Sequence, residues 1–130
     1  MIQKFAEADK FADFIGVKLI EAGAGYAKAK LEINNNHLNS MGTVHGGVLF
    51  SLADFVFATA CNSYGTIAVA INASISYFNA ISNGIITATA KEISKHPKLS
   101  TYLIEIRNEA NELIAMFQGM SYRKKEQHNF

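Results

Sequence analysis

Residues 45–61 decide the fold: His45-Gly46-Gly47-Val48-Leu49-Phe50-Ser51-Leu52-Ala53-Asp54-Phe55-Val56-Phe57-Ala58-Thr59-Ala60-Cys61. The glycine pair marks an entry turn. From Val48 to Tyr64 nearly every position is apolar, and Phe50, Phe55 and Phe57 fall in different directions around a helical wheel. Such a helix has no wet face and must be wrapped on several sides. Ser51, Asp54 and Thr59 interrupt the run, which falls short of the ~20 clean apolar residues of a membrane span, so it predicts a buried helix.

The flanks supply the wrapping. Downstream, Ala68–Phe78, Ile85–Ile93, Ser100–Asn108 and Leu113–Arg123 read as strands, parted by turns near Asn83–Gly84, Lys95–Lys98 and Asn108–Glu112. Upstream, Ala27, Ala29, Leu31 and Ile33 alternate with Lys28, Lys30 and Glu32, a strand with one dry face, and Val17–Ile20 offers a hairpin partner. Short connections predict an antiparallel meander. A curved antiparallel β-sheet wrapped around a long central helix, class α+β, is therefore expected as one domain over residues 1–130. Ile2, Phe5, Ala6, Phe11, Phe14 and Ile15 predict one short amphipathic helix ending at Gly16, and the polar tail 124–130 is expected to fray.

Composition narrows the function. Twelve Lys+Arg against eleven Asp+Glu give a net charge of +1, without the basic footprint of a nucleic-acid binder. The single cysteine, Cys61, excludes an intramolecular disulfide and a multi-cysteine metal site, and His37, His96 and His128 lack ligand spacing, so no metal is expected. Charges within Met1–Asp13 break any signal-peptide core, and a cytoplasmic setting without membrane contact is expected.

Between Glu32 and Lys91 the chain carries one charged side chain, Asp54, in the middle of the apolar helix. Burying a carboxylate costs several kcal/mol or more unless it is paired, and this stretch holds no Lys or Arg. A carboxylate lining a dry cleft is a stronger base or nucleophile than one in water. Eight residues earlier, Gly46 and Gly47 open the helix, where free N–H groups and the helix dipole stabilise negative charge. Those eight residues span roughly 12 Å along a helix, whereas a reacting carbonyl needs both its oxyanion donor and its base within about 3 Å. Two antiparallel copies of the helix across a two-fold axis would place Gly46 of one beside Asp54 of the other.

His45-Gly46-Gly47-Val48-Leu49-Phe50-Ser51-Leu52-Ala53-Asp54, followed by Ala58, Cys61-Asn62-Ser63 and Gly65, resembles the motif of hotdog-fold acyl-CoA thioesterases of the phenylacetic-acid-degradation (PaaI-type) branch. The likeness extends from about Phe14 to Arg123. It implies a homodimer, commonly paired into a homotetramer, acting on an acyl-CoA with no cofactor. By resemblance, Asp54 attacks the thioester or activates water, the Gly46 N–H polarises the carbonyl, Asn39 supports the carbonyl side, and His45 shapes the site. Gly47 and Phe50 are expected to line the substrate cleft. Where some relatives carry a water-positioning Ser, this chain has Ala70, which leaves Asn72 or Ser74 for that task. Lys91 is a candidate for the coenzyme A phosphates, alongside Lys95, Lys98, Arg123, Lys124 and Lys125. Two other readings are carried: a hotdog hydratase or dehydratase using His45, and a non-catalytic acyl-CoA-binding domain.

Overall fold

The computed structural model describes residues 1–130. In chain order it contains helices α1 (Ile2–Glu7) and α2 (Lys10–Ile15), strands β1 (Lys18–Gly23) and β2 (Tyr26–Glu32), a 3-10 turn (Asn35–His37), helix α3 (Gly46–Cys61), and strands β3 (Thr66–Tyr77), β4 (Ile85–Lys95), β5 (Leu99–Arg107) and β6 (Leu113–Gln127). All six strands join one antiparallel sheet in the order β1-β2-β4-β5-β6-β3. Its concave face wraps α3, as the apolar helix required.

The concave face is graded in size. On β2 and β4 the helix meets two small pairs, Ala27 opposite Ala90 and Ala29 opposite Ala88, followed at one end by the bulkier pair Leu31 and Ile86, all fully buried. On β5 and β6 it meets Tyr102, Ile104, Ile106, Ala115 and Phe117, so bulk replaces close approach. Phe57 of α3 fits between Tyr102 and Phe117, its ring centroid 5.7 Å from each. Gly119 makes that seat possible, since a Cβ there would lie 2.7 Å from Phe57 Cζ. Burying one such aromatic side chain contributes about 1.5–3 kcal/mol.

Three expectations need correction. The meander holds only for β4-β5-β6: β2 and β5 occupy both edges of β4, so β3 pairs with β6 at the far side of the sheet. The N-terminal segment is two helices rather than one. Asp9 adopts extended backbone and its Oδ1 accepts the Ala12 N–H at 3.0 Å, which starts α2 afresh and leaves Phe11 and Phe14 exposed. The tail is docked rather than frayed. β6 continues to Gln127, the His128 N–H donates to Gly65 O (2.7 Å), and His128 Nε2 donates to Asn62 Oδ1 (2.6 Å). The His128 ring meets Phe5 edge-on at 5.2 Å and stacks on Phe130 at 4.7 Å.

Asn62 is the helix C-cap that receives this tail. Its Nδ2 donates to Ala58 O and Ala68 O, and its Oδ1 accepts the Ala68 N–H, so one amide joins the end of α3 to β3. β3 itself is the outer strand, and from Val69 to Tyr77 only Ile75 is better than exposed. A twelve-residue edge of this kind offers unpaired N–H and C=O groups to another strand.

Candidate active site

The loop before α3 is built by two side chains. His37 is buried: its Nδ1 accepts the Asn34 N–H at 3.0 Å, which makes Nε2 the N–H donor to Ile15 O at 2.7 Å. Both ring nitrogens are thus spent tying the N-terminal helices to the loop. Asn39 turns onto its own loop, its Oδ1 accepting the N–H groups of Met41 (2.9 Å) and Thr43 (3.2 Å) and its Nδ2 donating to Thr43 Oγ1 (3.0 Å). Asn39 therefore shapes the segment that delivers His45 and Gly46, and its amide is committed there.

The first turn of α3 leaves one donor over. His45 Nδ1 accepts the Gly47 N–H at 2.8 Å, and His45 O accepts those of Val48 and Leu49. The Gly46 N–H has no partner within the chain. It lies at the positive end of a sixteen-residue helix, where negative charge is stabilised. Tyr77 packs over this glycine and its hydroxyl donates to Gly46 O at 3.2 Å; a Cβ at Gly46 would sit 3.1 Å from that hydroxyl.

Asp54 lies two turns further along. Its carboxylate is half-buried, makes no hydrogen bond, and has no cation beside it; the one ion pair in the chain joins Arg107 to Glu105. Burial raises its pKa above the ordinary carboxylate value of 3.8, and the negative charge of Asp9 raises it further. Nothing in the linear pattern signals that Asp9 is near, because that proximity is created by the docking of α2 on α3. Gly47, Phe50, Ser51, Asp54 and Ala58 form one stripe that the sheet does not fully cover. Phe50 stands in that stripe with its ring edge-on to Phe117 at 5.2 Å.

Other candidates are not brought to this stripe. Ala73 pairs with Gly119 and Ile75 with Phe117 on the concave face, so Asn72 and Ser74 project from the convex face, across the sheet from α3. Lys91 follows Ala90 and likewise faces out, lining a convex groove with Lys28, Thr87 and Thr89. Arg123 is committed to the β4–β5 turn through His96 O, Pro97 O and Ser100 Oγ. Cys61 is buried, and desolvation pushes its thiol up to about 12, the opposite of an activated nucleophile.

Residues 41–115 match the family model described as "Thioesterase superfamily", and the chain belongs to that family of thioester hydrolases. Within it the chain is a PaaI-type hotdog thioesterase. It is 36% identical over 118 residues to the acyl-coenzyme A thioesterase PaaI of Escherichia coli, covering 90% of this chain and 84% of that protein. The structure of the E. coli PaaI protein from the phenylacetic acid degradation operon superposes with a TM-score of 0.92 at 34% identity, covering 96% of this chain and 91% of the other. The TT0310 protein of Thermus thermophilus matches with a TM-score of 0.85 at 35% identity, over 89% of this chain and 98% of that one.

Proposed function

We propose that this protein hydrolyses acyl-CoA thioesters as a homodimer, with two sites each shared between protomers. One observation carries the reading: an unpartnered Gly46 N–H and an unpaired Asp54 carboxylate stand on the same helix, about 12 Å apart along its axis. That spacing is too long for one carbonyl and suits two antiparallel helices. Pairing β3 with β3 across a two-fold axis would complete the exposed sheet edge and set the uncovered stripes of α3 side by side. Pairing two such dimers into a tetramer would leave the site unchanged.

In each site the Gly46 N–H donates to the thioester oxygen while the partner's Asp54 supplies the base. The carboxylate takes a proton from water, the hydroxide adds to the carbonyl carbon, and the tetrahedral oxyanion collapses with cleavage of the C–S bond. Coenzyme A leaves as thiolate and takes up the proton, and the acid is freed. If Asp54 instead attacks directly, a mixed anhydride forms with loss of the thiolate, and water then opens it. Both routes use the same two groups and require no metal or redox cofactor. Asn72, Ser74 and Lys91 receive no contact with the reacting thioester in this scheme. His45 is held as a helix cap with no carboxylate beside it, which disfavours a hydratase. Coenzyme A esters are cytoplasmic metabolites, in keeping with such a setting.

Release of free thiol from a panel of aryl-, short-, medium- and long-chain acyl-CoAs tests the reading, with steady turnover of at least one class expected. A folded protein that binds coenzyme A esters and releases no thiol would overturn it. A second test uses Asp9→Asn, which retains a good helix cap and removes the charge that helps raise the Asp54 pKa. Less opposition to the carboxylate form lowers that pKa, so the acid limb of the kcat/KM profile is expected to move to lower pH. An unmoved limb would separate Asp54 from the catalytic base.

A further inference from the structure

Two consecutive glycines open α3, and each has a side chain standing close to where its Cβ would be. A Cβ at Gly46 would meet Tyr77 Oη at 3.1 Å and Tyr77 Cζ at 3.2 Å, and one at Gly47 would meet His45 Nδ1 at 3.0 Å. His45 comes from the entry loop, whereas Tyr77 is the last residue of β3 and reaches the helix from the sheet. A Gly-Gly step is among the most permissive pieces of backbone, which suits a turn and ill suits a donor that must stay aimed. Resting on the hydrolytic reading above, we propose that Tyr77 is a positioning residue for the reaction: it clamps Gly46 so that the free N–H keeps one direction toward the thioester oxygen.

Three features support the clamp. The peptide joining His45 to Gly46 is planar and trans, so its N–H points opposite to His45 O and is aimed by whatever holds that oxygen and the Gly46 Cα. Both are held. His45 O accepts the N–H groups of Val48 (2.9 Å) and Leu49 (3.3 Å), while the end of the Tyr77 ring bears on Gly46 and its hydroxyl donates to Gly46 O at 3.2 Å. The next peptide is fixed as well, since His45 Nδ1 accepts the Gly47 N–H at 2.8 Å, which leaves Gly46 as the one free donor of the pair. The clamp also has a firm frame. Tyr77 pairs with Ala115 of β6, the Phe78 N–H donates to Ile114 O at 2.8 Å, and the Val44 N–H donates to Ile81 O at 2.8 Å, so the end of β3 and the entry loop of α3 are tied together.

The test compares Tyr77→Phe, which keeps the ring and removes the hydroxyl, with Tyr77→Ala, which removes both. Tyr77 is 52% exposed and lies outside the buried core, so it can be replaced without opening the fold. At 3.2 Å the hydroxyl bond is long, and Tyr77→Phe is expected to lower kcat only about two- to four-fold. Tyr77→Ala frees Gly46 and should lower kcat by roughly ten-fold or more, with KM in both variants within about two-fold of wild type. The second readout is the amide NMR order parameter of Gly46 in the ligand-free protein, which needs no turnover. It is expected to fall from about 0.85 toward 0.6 in Tyr77→Ala and by less in Tyr77→Phe, while Leu52, buried in the middle of α3, keeps its wild-type value. If Leu52 also loosens in Tyr77→Ala, the Tyr77→Phe response decides. A raised KM with kcat unchanged would make Tyr77 a substrate contact and overturn the proposal, as would wild-type kcat or wild-type Gly46 order in the deciding variant. Selective loosening of Gly46 in a protein that turns over no thioester would instead uphold the clamp and remove the hydrolytic reading.

Discussion

Asp54→Asn is expected to lower kcat by roughly 10²–10⁴-fold, the usual contribution of a positioned acid–base group, while the assembly state stays that of wild type. The amide preserves the shape of the side chain and removes both basicity and nucleophilicity. Thiol-release kinetics on the best substrate provide the measurement, and near-normal turnover would take Asp54 out of the mechanism. The same variant carries a stability signature with a defined sign. In the folded chain the Asp54 pKa is raised, so the native state binds this proton more tightly than the unfolded state does. Stability from this group is complete below the unfolded value of 3.8 and is lost as pH rises through the higher folded value. A neutral amide at this position carries no such penalty. The variant should therefore melt above wild type at neutral pH, with the advantage vanishing in acid, so that lost activity and gained stability appear together.

Mixing two inactive variants should restore activity. Asp54→Ala removes the base, and Gly46→Pro removes the N–H assigned to the thioester oxygen. Proline is well suited to this position, because Gly46 is the first helical residue and His45 before it has φ −60° and ψ 136°, the extended geometry that precedes proline comfortably. The tight neighbour is the hydroxyl end of Tyr77, a half-exposed side chain that can shift at the cost of its hydrogen bond to Gly46 O. In a heterodimer with shared sites, one site collects both lesions and the other has an intact Gly46 and an intact Asp54. Random exchange of subunits then yields about a quarter of wild-type sites. The measurement is activity before and after reversible dissociation, with circular dichroism confirming that each variant is folded. Verified heterodimers that remain inactive would rule out a site completed across the interface.

Much of this architecture was legible because local pattern and burial agree. The alternation Ala27-Lys28-Ala29-Lys30-Leu31-Glu32 reports the concave and convex faces of β2 directly, and an all-apolar α3 can only be a wrapped helix. Asp54 was legible for the converse reason, as a charge without a local excuse. What was not legible depended on distant partners. The break at Asp9 follows from one side-chain cap competing with a continuous apolar periodicity, and the docking of His128 depends on Asn62, sixty-six residues earlier. The faces of Asn72 and Ser74 were obscured by a register shift between Ala70 and Asn72, which breaks the simple period of two that would assign them. Asn39 enters the site through the family resemblance alone, and nothing in the sequence shows that the N–H groups of Met41 and Thr43 engage its side-chain oxygen.

The pairing of β3 with β6 also bears on how the chain is made. β3 emerges from the ribosome well before β6, and Thr66 must wait for Gln127, sixty-one residues later, to find its neighbour. A nascent chain can close the local β4-β5 hairpin early, yet its outer edge is incomplete until synthesis reaches the last strand. Assembly through that edge is thus deferred to finished chains. Truncated products, lacking β6, would have no ordered β3 to offer and would be poor poisons of the proposed dimer.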